Sequence, residues 1–367
     1  MAAQTRSALL SWTVLMPVIA VVCVPLTYGR DLGPVLVAVM AALLAGAVLA
    51  AVHHAEVVAH RVGEPFGSLV LAVAVTLIEV GLIVTLMVAG GPDTATLARD
   101  TVFAAVMITC NGIVGLSLLL GALRYGLLEF NAEGSGAALA TVVTLATLTL
   151  VFPTFTTSEP GPEFSTSQLA FAAVTSLVLY GMFVLTQTVR HRDFFLPVTS
   201  EGAVVEEDGE HAEPPSNRTA LISLGLLVLA LISVVGLAKV ESPAIETGVA
   251  AVGFPQSFVG VVIALLVLLP ETLAAVRAAA RDRIQISMNL ALGSAMASIG
   301  LTIPAIAVAS IWLEGDLALG LGPTQLVLFG LTIVVSVLTV VPGRATRLQG
   351  GVHLVLLAAF LFLSINP

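Results

Sequence analysis

Two glutamates stand alone in long apolar runs of the 367-residue chain. Glu79 is the one charged residue between Glu64 and Asp93, and Glu271 the one between Glu246 and Arg277. An unpaired ionised carboxylate in a bilayer costs several kcal/mol, so each must be neutralised by a proton or by a cation. One pair of groups cannot do both at once, and mutually exclusive occupancy is what cation/proton antiport requires of a site. Ca²⁺, Na⁺ and K⁺ prefer oxygen ligands, Ca²⁺ taking six to eight of them. Thr76 lies one turn before Glu79 and offers a hydroxyl. Pro270 precedes Glu271 directly; having no N–H, it leaves the Leu266 carbonyl without its helical donor, a backbone ligand of the kind a broken transporter helix presents. The plain alternatives are a protonated glutamate bonded to a neighbouring helix and a kink carrying a snorkelling acid.

The helices that follow carry Asn111, Gly112 and Gly115 in one case and Gly293, Ser294 and Ser298 in the other. Asn and Ser oxygens can complete a cation shell, and glycines allow close helix approach; packing alone also explains them. His53, Glu56 and His60 share one helical face. That spacing can hold Zn²⁺, but no His-Glu-x-x-His motif is present, so a gate, a way in for protons, or an interfacial cap are the other readings. Glu246 belongs with this group. Cys23 and Cys110 sit in apolar segments and read as packing residues, with neither a disulfide framework nor a metal knot implied.

The elements that position these groups follow from composition. The chain is 58% apolar and 10% charged, against about 25% charged in soluble domains, so lipid is its solvent. The net charge of −9 is concentrated in one stretch containing Asp193, Glu201, Glu206, Glu207, Asp208, Glu210 and Glu213. No basic patch with interleaved aromatics points to nucleic acid. Apolar runs between charges predict eleven transmembrane helices, near 8–28, 34–55 (continuing through His60), 66–90, 100–123, 136–154, 166–189, 219–238, 256–280, 285–312, 322–341 and 350–365. The run at 7–29 is too long for a signal sequence and reads as a retained helix. With the N-terminus inside, eleven Lys/Arg residues fall in cytoplasmic loops and three, Arg30, Arg99 and Lys239, outside; the C-terminus is then periplasmic or extracellular. An inner-membrane, multi-pass protein is expected, with residues 190–218 as an acidic cytoplasmic linker, read as flexible and alternatively as a cation sensor.

The two halves repeat. Glu56 is followed by Gly63 and Pro65, and Glu246 by Gly253 and Pro255. Each unit leads into a one-glutamate helix and then into Ala98-Arg99-Asp100 or Ala280-Arg281-Asp282, each opening a helix with small and polar residues at its middle. Five helices separate the copies. An odd offset inverts the second copy in the membrane, the arrangement of secondary transporters whose substrate sites lie at the midplane where repeats meet. The expected fold is all-α, with residues 1–33 an extra helix and 34–189 and 219–367 the two inverted five-helix repeats.

The stretch from His54-Ala-Glu-Val-Val-Ala-His-Arg-Val-Gly-Glu-Pro-Phe-Gly to Thr76-Leu-Ile-Glu79 resembles the first repeat of the calcium/cation antiporter superfamily. Pro255-Gln-Ser-Phe, Leu268-Leu-Pro-Glu271 and the segment from Asn289 through Gly293-Ser294 to Pro304 resemble the second, in the bacterial ChaA-type branch of Ca²⁺/H⁺ and Na⁺(K⁺)/H⁺ antiporters. The resemblance covers roughly residues 34–365. It implies ten core helices plus one, with Glu79 and Glu271 forming the shared cation and proton site and Asn111 and Ser294 as ligand-bearing neighbours. Many relatives carry Gly-Asn where this chain has Val75-Thr76 and Val267-Leu268. The second replacement removes a side-chain oxygen and weakens a full calcium shell.

Exchange of Ca²⁺, and of Na⁺ or K⁺, for H⁺ is therefore the leading expectation. The partners are a metal cation, protons and lipid, with no resident cofactor. A monovalent-only exchanger or a cation channel is the second reading, and an intramembrane metalloenzyme on His53, Glu56 and His60 the third.

Overall fold

Hydrocarbon offers no partner to a free N–H or C=O, so a chain this apolar satisfies its backbone by coiling. The computed structural model, which describes residues 11–30, 32–63, 66–197, 214–313 and 315–367, is built almost wholly of helices. In chain order they begin with α1 (Trp12–Thr27), α2 (Pro34–Val62), α3 (Phe66–Gly90), and α4 (Leu97–Met107), which a π-helical turn, Ile108–Ile113, joins to α5 (Val114–Tyr125). There follow α6 (Ala132–Ala146), α7 (Phe152–Phe155), α8 (Thr166–Leu185) and α9 (Asn217–Ala251). The last are α10 (Phe258–Val267), α11 (Leu269–Ala279), α12 (Ile284–Gly300), α13 (Thr302–Ala309), α14 (Pro323–Val340) and α15 (Arg347–Ile365).

Among the described residues nine spans are long and apolar enough to cross a membrane, and the α10–α11 pair, bent by 55°, makes a tenth. The first of the eleven expected spans is the shorter α1, whose 16 residues reach about 24 Å. The protein is a multi-pass membrane protein. Two boundaries differ from expectation. The span expected to end at 238 runs on to Ala251, through Lys239, Glu241, Pro243 and Glu246, because small and polar residues bury its continuation: Ser242 and Val249 are buried there along with Glu241. The span expected at 285–312 is two helices that meet at Leu301. Of the expected linker, residues 198–213 lie outside the described residues, as do Glu64 and Pro65.

The helices form two compact units, residues 1–94 with 211–256 and residues 95–210 with 257–367, so each unit draws on both sequence halves. In the first, α1, α2, α3 and α9 pack through small residues. A Cβ on Gly81 would stand 2.9 Å from Val235, and one on Gly236 2.8 Å from Val24. The buried His54 ties three helices together, its Nε2 lying 3.0 Å from the Thr13 carbonyl and its Nδ1 3.4 Å from Ser223 Oγ. Gly63 and Gly253, counterparts in the repeat, end α2 and α9 in the left-handed region at φ +76° and +75°. Glycine takes that conformation without the Cβ penalty, which makes it the natural helix stop.

In the second unit the α4–α5 span is the central element, with 89% of its apolar window buried. α15 crosses it closely: a Cβ on Gly350 would lie 2.5 Å from Leu119 N, and one on Gly115 3.0 Å from His353 Cβ. Gly260 of α10 lies equally close to the backbone of Asp100 and Thr101. Two short antiparallel strands, β1 (Leu128–Glu129) and β2 (Arg344–Ala345), pair at one end.

Candidate functional site

α3 carries Glu79 near its middle and no other charge, and the residue is sealed at 2% exposure. Thr76, three residues earlier, is buried too. The helix runs unbroken from Phe66 to Gly90, so the Glu79 side chain leaves a continuous helix.

Glu271 sits differently. Leu268, at φ −83° and ψ 0°, closes α10 and opens α11, and Glu271 stands in the first turn of α11 directly after Pro270. Proline is well placed there, since the first turn of a helix needs no N–H from it. Its cost falls on the preceding turn, where the Leu266 carbonyl loses its usual i+4 amide donor. Thr272 closes the first turn of α11, its amide and hydroxyl both donating to the Leu268 carbonyl, at 2.9 and 2.7 Å. Glu271 is partly exposed as a residue, while its Oε2 is buried.

Asn111 is fully buried in the π-helical turn. Its carbonyl oxygen accepts from His353 Nδ1 at 3.2 Å and its amide donates to Thr332 Oγ1 at 3.0 Å, while His353 Nε2 lies 3.1 Å from Thr339 Oγ1. A cation taking the Asn111 oxygen therefore competes with an imidazole for it. His353 did not emerge from the sequence reading, although it is the lone titratable group of α15 beyond Arg347.

On α12, Ser298 is buried, and Ser294 and Gly293 are half-buried. Gly112 and Gly115 lie against Leu357 and against His353 and Gly350, whereas a Cβ on Gly293 would meet nothing within 4 Å. At Gly293 no neighbouring atom within 4 Å of that position asks for glycine.

The other sequence candidates separate. His53, Glu56 and His60 are exposed on α2, and the described residues hold no group of three His, Cys, Asp or Glu side chains able to bind a metal. The metalloenzyme reading thereby loses its one support. Glu246 is half-buried near the end of α9 and accepts from Ser242 Oγ at 3.1 Å. The two Ala-Arg-Asp triplets also diverge. Asp100 is buried, paired with Arg99 at 2.8 Å and bonded by Thr96 and Gln325, beside a cavity of about 220 Å³. Asp282 sits exposed in a turn at φ +63°, while the Ala280 carbonyl accepts from Arg124 and Tyr125.

At one end of the second unit, Glu163 pairs backbones with Ala318. Partial burial, followed by repulsion from Asp316 and Glu159, holds its carboxyl above the usual carboxylate range.

Against known proteins, the profile of the sodium/calcium exchanger protein family matches residues 32–189 and 222–366. The chain is 46% identical to the "Putative ionic transporter y4hA" of Sinorhizobium fredii, covering 99% of both chains. It is 35% identical to the sodium-potassium/proton antiporter ChaA of Escherichia coli, over 95% of this chain and 94% of that one. Among solved structures, native YfkE superposes with a TM-score of 0.71 at 17% identity, covering 96% of this chain and all of that one, which is a likeness of fold. The chain is a membrane transporter that belongs to the sodium/calcium exchanger family.

Proposed function

We propose that the protein exchanges a metal cation for protons by alternating access, with Glu79 and Glu271 as the carboxylates that hold cation or proton in turn. The observation that carries this reading is Glu79: a carboxylate 2% exposed at the middle of a helix with no other charge. Lipid-buried acids of this kind are expensive, and they mark ion and proton pathways. Around Glu79 we assign Thr76 as a hydroxyl ligand. Around Glu271 we assign the Leu266 carbonyl that Pro270 releases, with Ser294 and Ser298 as hydroxyl donors to the cation shell. Asn111 contributes its oxygen when His353 yields it. His53, Glu56, His60 and Glu246 serve the gates. The N-terminus lies in the cytoplasm and the C-terminus on the opposite face, as the Lys/Arg distribution supports.

Two carboxylates match the charge of one Ca²⁺, which makes Ca²⁺ a substrate of choice, with Na⁺ and K⁺ beside it. A second reading, exchange of monovalent ions alone, is favoured by Val267-Leu268, which supplies no side-chain oxygen, and by the name of the 35% identical relative. Everted vesicles carrying a pH dye decide between them. Adding CaCl₂, NaCl or KCl releases lumenal protons in the wild type, and Glu79→Gln and Glu271→Gln abolish the response. Undiminished responses in both variants would remove the assignment, and a response to Na⁺ and K⁺ without Ca²⁺ selects the second reading.

A further inference from the structure

The first unit contains a second sealed carboxylate. Glu241 of α9 is 2% exposed, and its Oε1 is buried with no hydrogen-bond partner among the described residues. Neither sequence motif includes it, and the corresponding position of the first repeat, 190 residues earlier by the Glu56–Glu246 match, is Ala51. A carboxyl group with a sealed, unbonded oxygen persists in an apolar interior only when a proton or a cation neutralises it.

Its place along the helices is informative. α3 and α9 pack side by side, with Gly81 against Val235 and Gly90 near Glu246 Oε1, 3.4 Å from where its Cβ would stand. The two helices therefore run in the same direction. Glu241 falls level with residues 85–87 of α3, about 10 Å along the axis from Glu79 and about 7 Å before Glu246. Glu79, Glu241 and Glu246 thus stand at successive levels from mid-helix towards the end of the α3–α9 pair, with Ser242 Oγ bonded to the last of them.

We propose that Glu241 is a proton relay between Glu79 and that end of the pair. The inference rests on the cation/proton exchange reading. A hydronium ion arriving past Glu246 gives its proton to the Glu241 carboxylate, leaving water and a neutral acid. The acid passes the proton on to the Glu79 carboxylate and is itself restored. The steps are too long for direct contact, so each transfer runs through water.

The titratable and charged groups around Glu241 are few. α9 adds Lys239 and Glu246, and Arg218 at its far end; α3 adds Glu79; α1 adds Cys23, with Tyr28 and Arg30 just past its end. α2 carries His53, His54, Glu56, His60 and Arg61, but His54 meets Ser223, eighteen residues before Glu241 and so about 27 Å along α9. No cation bonds the Glu241 carboxylate among the described residues.

The test uses the full chain in everted vesicles, driven by NaCl, KCl or CaCl₂, across a pH series. Glu241→Gln keeps the shape and loses the proton. It is expected to slow proton release at least about threefold, most on the alkaline side where protons are scarce, with Glu241→Asp restoring part of the rate. A Glu241→Gln profile that superposes on wild type, while Glu79→Gln is silent, overturns the relay and leaves the exchange reading standing. Silence of the wild type in all three salts overturns the exchange reading and the relay with it. Infrared difference spectra of the purified wild type give a readout apart from transport and from how the Gln variant folds. Glu241→Asp is expected to shift one protonated-carboxyl band that Glu79→Gln leaves in place, and an unshifted spectrum overturns the relay.

Discussion

The Glu79 and Glu271 regions come from matching parts of the repeat and have been built in opposite ways. α3 is one unbroken helix with its carboxylate sealed in mid-span; α10 and α11 are two helices meeting at 55°, with the acid in the first turn after the break, the residue partly exposed and its Oε2 buried. The helices that follow them differ as well. α4–α5 is continuous through a π-helical turn and pressed against α15, while α12–α13 breaks at Leu301 and has room around Gly293. One proline accounts for much of this. Val267-Leu268-Leu269-Pro270 stands where the first half has Val75-Thr76-Leu77-Ile78, so one arm has a carbonyl deprived of its i+4 amide where the other has a hydroxyl. A repeat conserves the order of elements and the place of the acid, and leaves the means of ligation to individual residues.

Shortening each acid by one methylene tests that contrast most strongly. In a rigid, sealed helix the reach lost cannot be recovered, so Glu79→Asp is expected to cost about 100-fold in exchange rate, and Glu271→Asp about tenfold because a bent helix can adjust. Equal losses, read as initial rates of proton release, would break the contrast.

Pro270→Ala comes next. It restores the amide to the Leu266 carbonyl and should straighten the arm, lowering exchange about fivefold while thermal stability in detergent holds or rises. An unchanged rate would show that the break owes nothing to the proline.

The flanking helices yield a smaller effect. Gly115→Ala forces a Cβ to 3.0 Å from His353 and should destabilise by about 1–2 kcal/mol, whereas Gly293→Ala meets open space and should gain about 0.5 kcal/mol in helix propensity. Denaturation of the purified variants in detergent measures both.

The least effect is expected at Glu163. Its carboxyl is held above the ordinary carboxylate range, so the folded state favours the protonated form and the contribution to stability is lost as pH rises through that raised value. Glu163→Gln should therefore raise the melting temperature at neutral pH, by less than about 2 °C, and make no difference near pH 3. A gain that persists at acid pH would point to something other than charge repulsion.

Hydropathy and charge counting made the spans legible, because lipid compels apolar residues to cluster and backbones to coil whatever the tertiary contacts. They misplaced the end of α9, since Lys239, Glu241 and Glu246 look like a membrane boundary when burial against neighbouring helices is unknown. The glycine pair Gly63 and Gly253 was visible as a motif; its shared left-handed geometry was not.

Sequence alone determined that this is a multi-pass membrane protein of the exchanger family, that its halves repeat, and that Glu79 and Glu271 are isolated acids in apolar helices. Those properties depend on composition along the chain. Tertiary structure decided that Glu241 is sealed and that Asn111 already has an imidazole partner. It also decided that Gly115 is crowded where Gly293 is not, and that one arm bends by 55°. Each of these depends on which helix lies alongside, and residues such as Asn111 and His353, 242 apart in the chain, meet only once the helices have packed.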